Sequence, residues 1–127
     1  PAMRFTTSVL TLRDVKRGES VGYGGRWVAQ RDSRIATLPV GYADGYPWAA
    51  RDGAPIGIAD HIVPLAGRVS MDMVTVDVTD CAHIEVGVPA VLWGSQPSVD
   101  EVAEHCNTIG YELMTRVTSR VPRCYHP

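Results

Sequence analysis

The strongest constraint on this chain is how little room lies between its β-forming segments. Runs rich in branched and apolar residues recur along the sequence, at Thr7–Val15, Arg34–Val40, Ala54–Ile58, His61–Leu65, Met71–Val78 and Val88–Trp93. The stretches between them are broken by Gly, Pro and Asp turns and leave no room for the crossover helices that parallel strands require. Parallel βαβ architecture is thereby excluded. A mostly-β fold is predicted, as a closed β-barrel-like domain or a sandwich, with one or two short helices near the C-terminus.

Local patterns sharpen this. Lys16–Glu19 reads as a turn, and Ala59-Asp60 as the tip of a hairpin. Pro39 limits the ladder partners at one end of Arg34–Val40. Met71–Val78 alternates, with Met71, Met73, Thr75 and Asp77 on one face and Asp72, Val74, Val76 and Val78 on the other. Val88–Trp93 suits a strand buried on both sides. Ser98 and Glu101 form a capping box ahead of Val99, Val102, Ala103 and Cys106 at helical spacing. A second helix is predicted at Tyr111–Val117 and a closing strand at Val121–Tyr125.

The 127 residues, 45% of them hydrophobic, suit one domain over 1–127. Such a chain buries roughly 65% of its unfolded surface. A net charge of −2 gives no basic face for nucleic acid. No apolar run approaches the roughly 20 residues that span a bilayer as a helix. The start, Pro1-Ala2-Met3-Arg4-Phe5, has neither a signal-peptide core nor an initiator methionine, and reads as part of something longer. Three cysteines, an odd number without CxxC spacing, predict free thiols and a cytoplasmic, reducing setting. Cys81-x-His83, His105-Cys106 and Cys124-x-His126 do not match zinc-site spacing, so no metal is expected.

Familiar catalytic patterns are missing. Gly22-Tyr23-Gly24-Gly25 is glycine-rich but lacks the G-x-G-x-x-G spacing, and there is no Walker lysine, G-x-S-x-G or H-E-x-x-H. Two loops stand out, Val21–Trp27 (VGYGGRW) and Gly41–Tyr46 (GYADGY). Glycines beside Tyr23 allow close backbone approach to another surface. Tyr23 and Tyr42 would equally suit ordinary sheet positions. Gly67–Met73 (GRVSMDM) could present backbone N–H groups near Met71 to a carboxylate or phosphate, or simply lead into a strand. These residues alone do not choose.

Taken together and in order, VGYGGRW, LPVGYADGYP, GRVSMDMVTVD, YELMTRV and RVPR resemble the carboxy-terminal domain of alanine racemase. The resemblance covers nearly the whole chain. It implies a β-barrel domain of a homodimeric enzyme that uses pyridoxal 5′-phosphate, interconverts L- and D-alanine and supplies a peptidoglycan precursor. It further implies a separate amino-terminal barrel that carries the cofactor lysine. Eleven of the twelve basic residues here are arginine, and Lys16, in a charged turn, is a poor candidate for that lysine. No cofactor-binding residue is therefore assigned to this chain, and RVPR is read as structural.

By this resemblance, Tyr23 matches the catalytic tyrosine, which reaches the partner subunit's active site and abstracts the α-proton of L-alanine. The cofactor draws electrons from Cα, and racemisation then needs an acid/base on each face. A phenol near pKa 10 needs nearby cations to act as a base at neutral pH; most of these are expected from the partner's barrel. Met71 matches a substrate contact whose backbone N–H binds the carboxylate. Tyr42 matches a tyrosine at the mouth of the site, and Asp72, beside Met71, shapes that mouth. The isolated chain is expected to be inactive. A broad-specificity amino-acid racemase and a non-catalytic dimerisation module are the alternatives.

Overall fold

Strand pairing among the described residues is antiparallel throughout, as short connections demand. The computed structural model describes residues 2–94, 96–106 and 125–126, with side chains at 4–22, 24–94 and 96–106. The order is β1 (Ala2–Met3), β2 (Phe5–Ser8), β3 (Thr11–Val15), β4 (Ser20–Val21), a 3-10 turn at Tyr23–Gly25, β5 (Trp27–Val28) and β6 (Ser33–Leu38). A second 3-10 turn at Tyr42–Asp44 follows, then β7 (Pro55–Ile58), β8 (His61–Pro64), β9 (Val74–Asp77) and β10 (Pro89–Trp93). The short helix α1 (Val99–Glu104) comes next, and β11 (Tyr125–His126) pairs back onto β1. The helix expected at Tyr111–Val117, and residues 121–124 of the expected closing strand, lie outside the described residues.

Two larger sheets, β2-β10-β7-β8 and β3-β6-β9, carry the fold, with β4-β5 and β1-β11 as separate pairs. The chain crosses between the larger sheets at Val9–Leu10. There the Val9 N–H bonds the Val88 carbonyl at 2.9 Å, whereas the Leu10 N–H bonds that of Thr37 at 2.8 Å. This split divides Thr7–Val15, read as one strand, into β2 and β3. On the far side one bridge, Leu65 to Val76, joins the end of β8 to β9. The ladders are thus not continuous around the circuit. Among the described residues the fold is mostly β with one short helix, and barrel-like only in a loose sense.

Several local readings hold. Ala59 and Asp60 both take positive φ, 47° and 68°, the two-residue turn whose twist suits a hairpin. The Ser98 hydroxyl accepts the Glu101 N–H at 3.2 Å, and the Ser98 N–H donates to Glu101 Oε1 at 3.1 Å, capping α1. Val74, Val76 and Val78 all point into the core, as the alternation requires. β10 lies between β2 and β7 with Ala90, Leu92 and Trp93 buried, but Pro89 is exposed and Val91 half-buried, so the burial on both sides expected of Val88–Trp93 is not met along its length.

The main core runs between the two sheets. Phe5 packs edge-on against Trp93, with ring centroids 4.8 Å apart, and Tyr46 stacks on the same indole at 6.2 Å. A second, smaller cluster of Val15, Val21, Ala29, Ile35 and Ala66, with Trp27 against it, lies at the base of the β4-β5 hairpin. That cluster fixes the hairpin carrying Tyr23 to β6 and to the segment leading into residue 67.

Candidate functional site

Three loops meet at one end of the fold, and each carries a motif singled out in the sequence. The first is the β4-β5 connection. Val21 pairs with Trp27 across this two-residue ladder, so Gly22–Arg26 forms its tip, with Tyr23 opening the 3-10 turn.

The second loop begins at Gly67, and its contact with the first is backbone on backbone. Gly22 has φ +86°, and a Cβ there would stand 3.0 Å from both the Arg68 amide nitrogen and the Gly67 Cα. Gly67 has φ +97°, and a Cβ there would stand 2.9 Å from the Val21 carbonyl oxygen. Side chains at either position would push the loops apart. A single carboxylate also spans them: Asp52 Oδ1 accepts the Gly67 N–H at 2.9 Å and Arg26 Nη2 at 3.0 Å.

Beyond Gly67 the loop ends in a tight turn. The Ser70 hydroxyl accepts the Met73 N–H at 3.0 Å and donates to the Met73 carbonyl, also at 3.0 Å. The Ser70 N–H bonds that same carbonyl. The regular strand accordingly starts only at Val74, so the predicted strand over Met71–Val78 is shortened at its front. Met71 and Asp72 form the exposed tip of the turn. Among the described residues, the Met71 N–H has no hydrogen-bond acceptor.

The third loop is Gly41–Tyr46. Its Tyr42 N–H bonds the Ser70 carbonyl and its Ala43 N–H the Met71 carbonyl, both at 3.0 Å. This approach requires a glycine at 41, where a Cβ would fall 2.3 Å from the Ser70 carbonyl oxygen. Asp44 Oδ2 accepts the Gly41 N–H at 3.0 Å and holds the turn closed. The loop's two tyrosines take opposite positions: Tyr46 is 1% exposed and anchors the loop in the core, while Tyr42 is 44% exposed. Burial pushes the Tyr46 phenol well above its ordinary pKa, and its interaction with Cys106 adds to the rise.

Two clefts run along this end. One, of about 350 Å³, is lined by Tyr42, Trp48, Arg68, Val69, Ser70 and Met71. The other, of about 380 Å³, includes Gly22, Arg68, Ser70 and Met73. Arg68 lines both and makes no ion pair among the described residues. Its Nε lies 3.9 Å from the position a Gly24 Cβ would take, so one cation borders all three loops. A larger cleft of about 620 Å³ lies on the β7, β8 and β10 side and contains none of the predicted site residues.

The fold therefore brings together the backbone of the Tyr23 turn, Met71, Asp72 and Tyr42. Sequence reasoning missed Arg68, Trp48, Arg26 and Asp52. Arg68 stood inside a recognised motif. Asp52 precedes Gly53 and reads as a turn residue, and its partners lie 26 and 15 positions away.

Known proteins share this sequence and fold. Residues 2–125 match the family model described as alanine racemase, C-terminal domain. The chain is 56% identical over 125 residues to an alanine racemase of Stutzerimonas stutzeri, covering 98% of this chain and 35% of that protein. The crystal structure of the biosynthetic alanine racemase from Pseudomonas aeruginosa superposes with a TM-score of 0.96 at 52% identity, over 100% of this chain and 36% of that one. An alanine racemase from Bartonella henselae, solved with covalently bound pyridoxal phosphate, gives 0.90 at 31% identity, over 97% and 34%. The chain spans about a third of the length of these relatives. With the family match running from residue 2 to residue 125 and the fold similarity beside it, this chain belongs to the alanine racemase C-terminal domain family.

Proposed function

We propose that this chain is the domain of an alanine racemase that delivers Tyr23 to an active site completed by the partner subunit of a homodimer. The observation that carries the reading is the union of the three motif loops, which packs the Tyr23 turn against Gly67 and Arg68, at the head of the loop whose Met71 N–H has no acceptor among the described residues. The racemase names of its relatives support alanine as the substrate.

Pyridoxal phosphate is bound covalently in the Bartonella relative. The residues described here do not provide for such a bond. The sole lysine, Lys16, is exposed in the Lys16–Glu19 turn. It lines a cleft with Asp14, Asp32 and Arg34, and none of the site residues lines that cleft. The cofactor and the acidification of the substrate Cα–H that it supplies accordingly belong to the remainder of the enzyme. Alone, this chain is expected to be inactive.

The roles of the chain's own groups follow from their chemistry. Arg68 gives the shared rim a positive potential that draws in the substrate carboxylate. The Met71 N–H, with its carbonyl already engaged by Ala43, binds that carboxylate and orients the substrate. The Tyr23 phenol oxygen takes the α-proton of L-alanine and returns a proton in the reverse direction. Tyr42 and Asp72 border the mouth and limit what enters.

Tyr23→Phe in the full-length enzyme tests this reading. Phenylalanine keeps the ring and deletes the proton-carrying oxygen. Net conversion in both directions should fall by ~10²–10⁴. D-alanine should still exchange its α-hydrogen with heavy water, served by the group on the other face, while L-alanine exchanges far more slowly. Equal exchange of the two enantiomers would remove Tyr23 from the L face.

A further inference from the structure

The Asp52 carboxylate is held more firmly than its surface position suggests. Its side chain is 33% exposed, so its charge alone adds little. Both flanking residues, however, are fastened. Arg51 donates its N–H and Nε to the His105 carbonyl at 3.3 and 3.1 Å, and Nη2 to the Glu104 carbonyl at 3.2 Å. These bonds tie the turn to the C-terminal end of α1. On the other side the Gly53 N–H bonds the Leu65 carbonyl at 2.8 Å, and the Leu65 N–H returns a bond to Ala54 at 2.8 Å.

From that platform one oxygen, Oδ1, reaches both halves of the site. It accepts the Gly67 N–H at 2.9 Å, at the head of the loop ending in Met71. It also accepts Arg26 Nη2 at 3.0 Å, from the residue closing the Tyr23–Gly25 turn. Gly22 and Gly67 meet without side chains between them, so nothing bulky sets the spacing of the two loops there. Asp52 bonds both.

We propose that Asp52 is a positioning residue that sets the Tyr23 turn against the Met71 loop, and thereby the phenol against the substrate carboxylate site. This rests on the reading of Tyr23 as the proton carrier. Asp52 touches no substrate. It acts through Arg26 and the Gly67 amide. Removing it leaves the Gly67 N–H without its acceptor and Arg26 without its anchor, and lets the turn drift from the loop. A displacement near 1 Å can cost about 10²-fold in rate.

The test uses full-length, cofactor-loaded enzyme and compares Tyr23→Phe, Asp52→Ala and Asp52→Asn by α-hydrogen exchange from each enantiomer. Asp52→Ala should slow exchange from L-alanine roughly 10- to 100-fold and that from D-alanine much less. Asp52→Asn keeps an acceptor oxygen at the same place, so it should lose less, on the same face. It also serves if the alanine variant does not fold. If Tyr23→Phe slows one face while both Asp52 variants slow the two faces equally or neither, Asp52 is structural and the proposal falls while Tyr23 stands. If Tyr23→Phe itself shows no preference for a face, the reading of Tyr23 fails and takes this inference with it.

Discussion

Gly22 and Gly67 meet backbone to backbone, so close that a methyl group on Gly22 would stand 3.0 Å from the Gly67 Cα. The Tyr23 turn and the Met71 loop are therefore packed main chain on main chain, with the small Val15, Val21, Ala29, Ile35 and Ala66 cluster beneath. A side chain at this junction would act as a wedge.

Gly67→Ala should therefore lose more stability than its backbone conformation alone explains. Gly18 provides the control, since it has φ +91° and open space around it, whereas Gly67 has φ +97° and the Val21 carbonyl 2.9 Å from its missing Cβ. Gly18→Ala should cost only the strain of a positive φ, about 1 kcal/mol. Gly67→Ala should cost at least ~1 kcal/mol more, because the two loops must separate. Thermal unfolding of both variants decides it, and equal losses would mean that the contact is slack.

Tyr46→Phe should protect the fold against alkali. The Tyr46 hydroxyl is buried without a hydrogen-bond partner among the described residues, and burial raises its pKa. A group whose pKa is raised on folding contributes its stability fully below its unfolded pKa, about 10, and loses it as pH climbs above that value. Unfolded chains then release a proton that the folded chain must retain. Phenylalanine removes this linkage, so the alkaline unfolding midpoint should move to higher pH. At neutral pH stability should hold or rise, because no buried hydrogen bond is lost among the described residues. A lower alkaline midpoint would show that the hydroxyl has a stabilising partner.

How much of this was legible in the sequence depended on the range of the interaction. The α1 cap needs only Ser98 and Glu101, three residues apart, and the β7-β8 hairpin only Ala59 and Asp60 between its strands. Both were readable because their determinants are local. The break of Thr7–Val15 was not, since it depends on Val9 choosing Val88 and Leu10 choosing Thr37. Period-two alternation likewise ran on through Met71 and Met73, because it cannot reveal that Ser70 folds the chain back onto Met73. The loops that meet at this end of the fold were singled out through their glycine-rich motifs and the family resemblance. Asp52 was hidden, since nothing near it in sequence points to Arg26 or Gly67.

The cysteines should behave as separate thiols. Neither Cys81 nor Cys106 forms a disulfide among the described residues, and Cys124 lies outside them. Burial, with Asp80 and Asp77 nearby, raises the Cys81 pKa, which lowers its thiolate fraction. At mildly alkaline pH a thiol reagent should modify Cys106 in the native protein well before Cys81. After denaturation without reductant, three thiols per chain should react, matching the three cysteines of the sequence. Fewer than three would indicate a disulfide and an oxidising setting.

The delivery of Tyr23 across a dimer interface can be separated from delivery within one subunit by mixing two dead enzymes. One carries Tyr23→Phe. The other has an intact Tyr23 but lacks the cofactor lysine, which the proposed function assigns to the remainder of the enzyme. Each homodimer should be inactive, since every site lacks one essential group. In a mixed dimer with the tyrosine acting in trans, one site combines the lysine of the first subunit with the tyrosine of the second and is complete. The other site lacks both. Random pairing makes half of the dimers mixed, so after subunit exchange about a quarter of the wild-type rate should return. If the tyrosine served its own subunit, both sites of the mixed dimer would still lack one group and no activity would appear. Racemisation assayed before and after exchange, with mixed dimers counted by a mass difference between the subunits, distinguishes the two. Mixed dimers without activity would place Tyr23 in the site of its own chain.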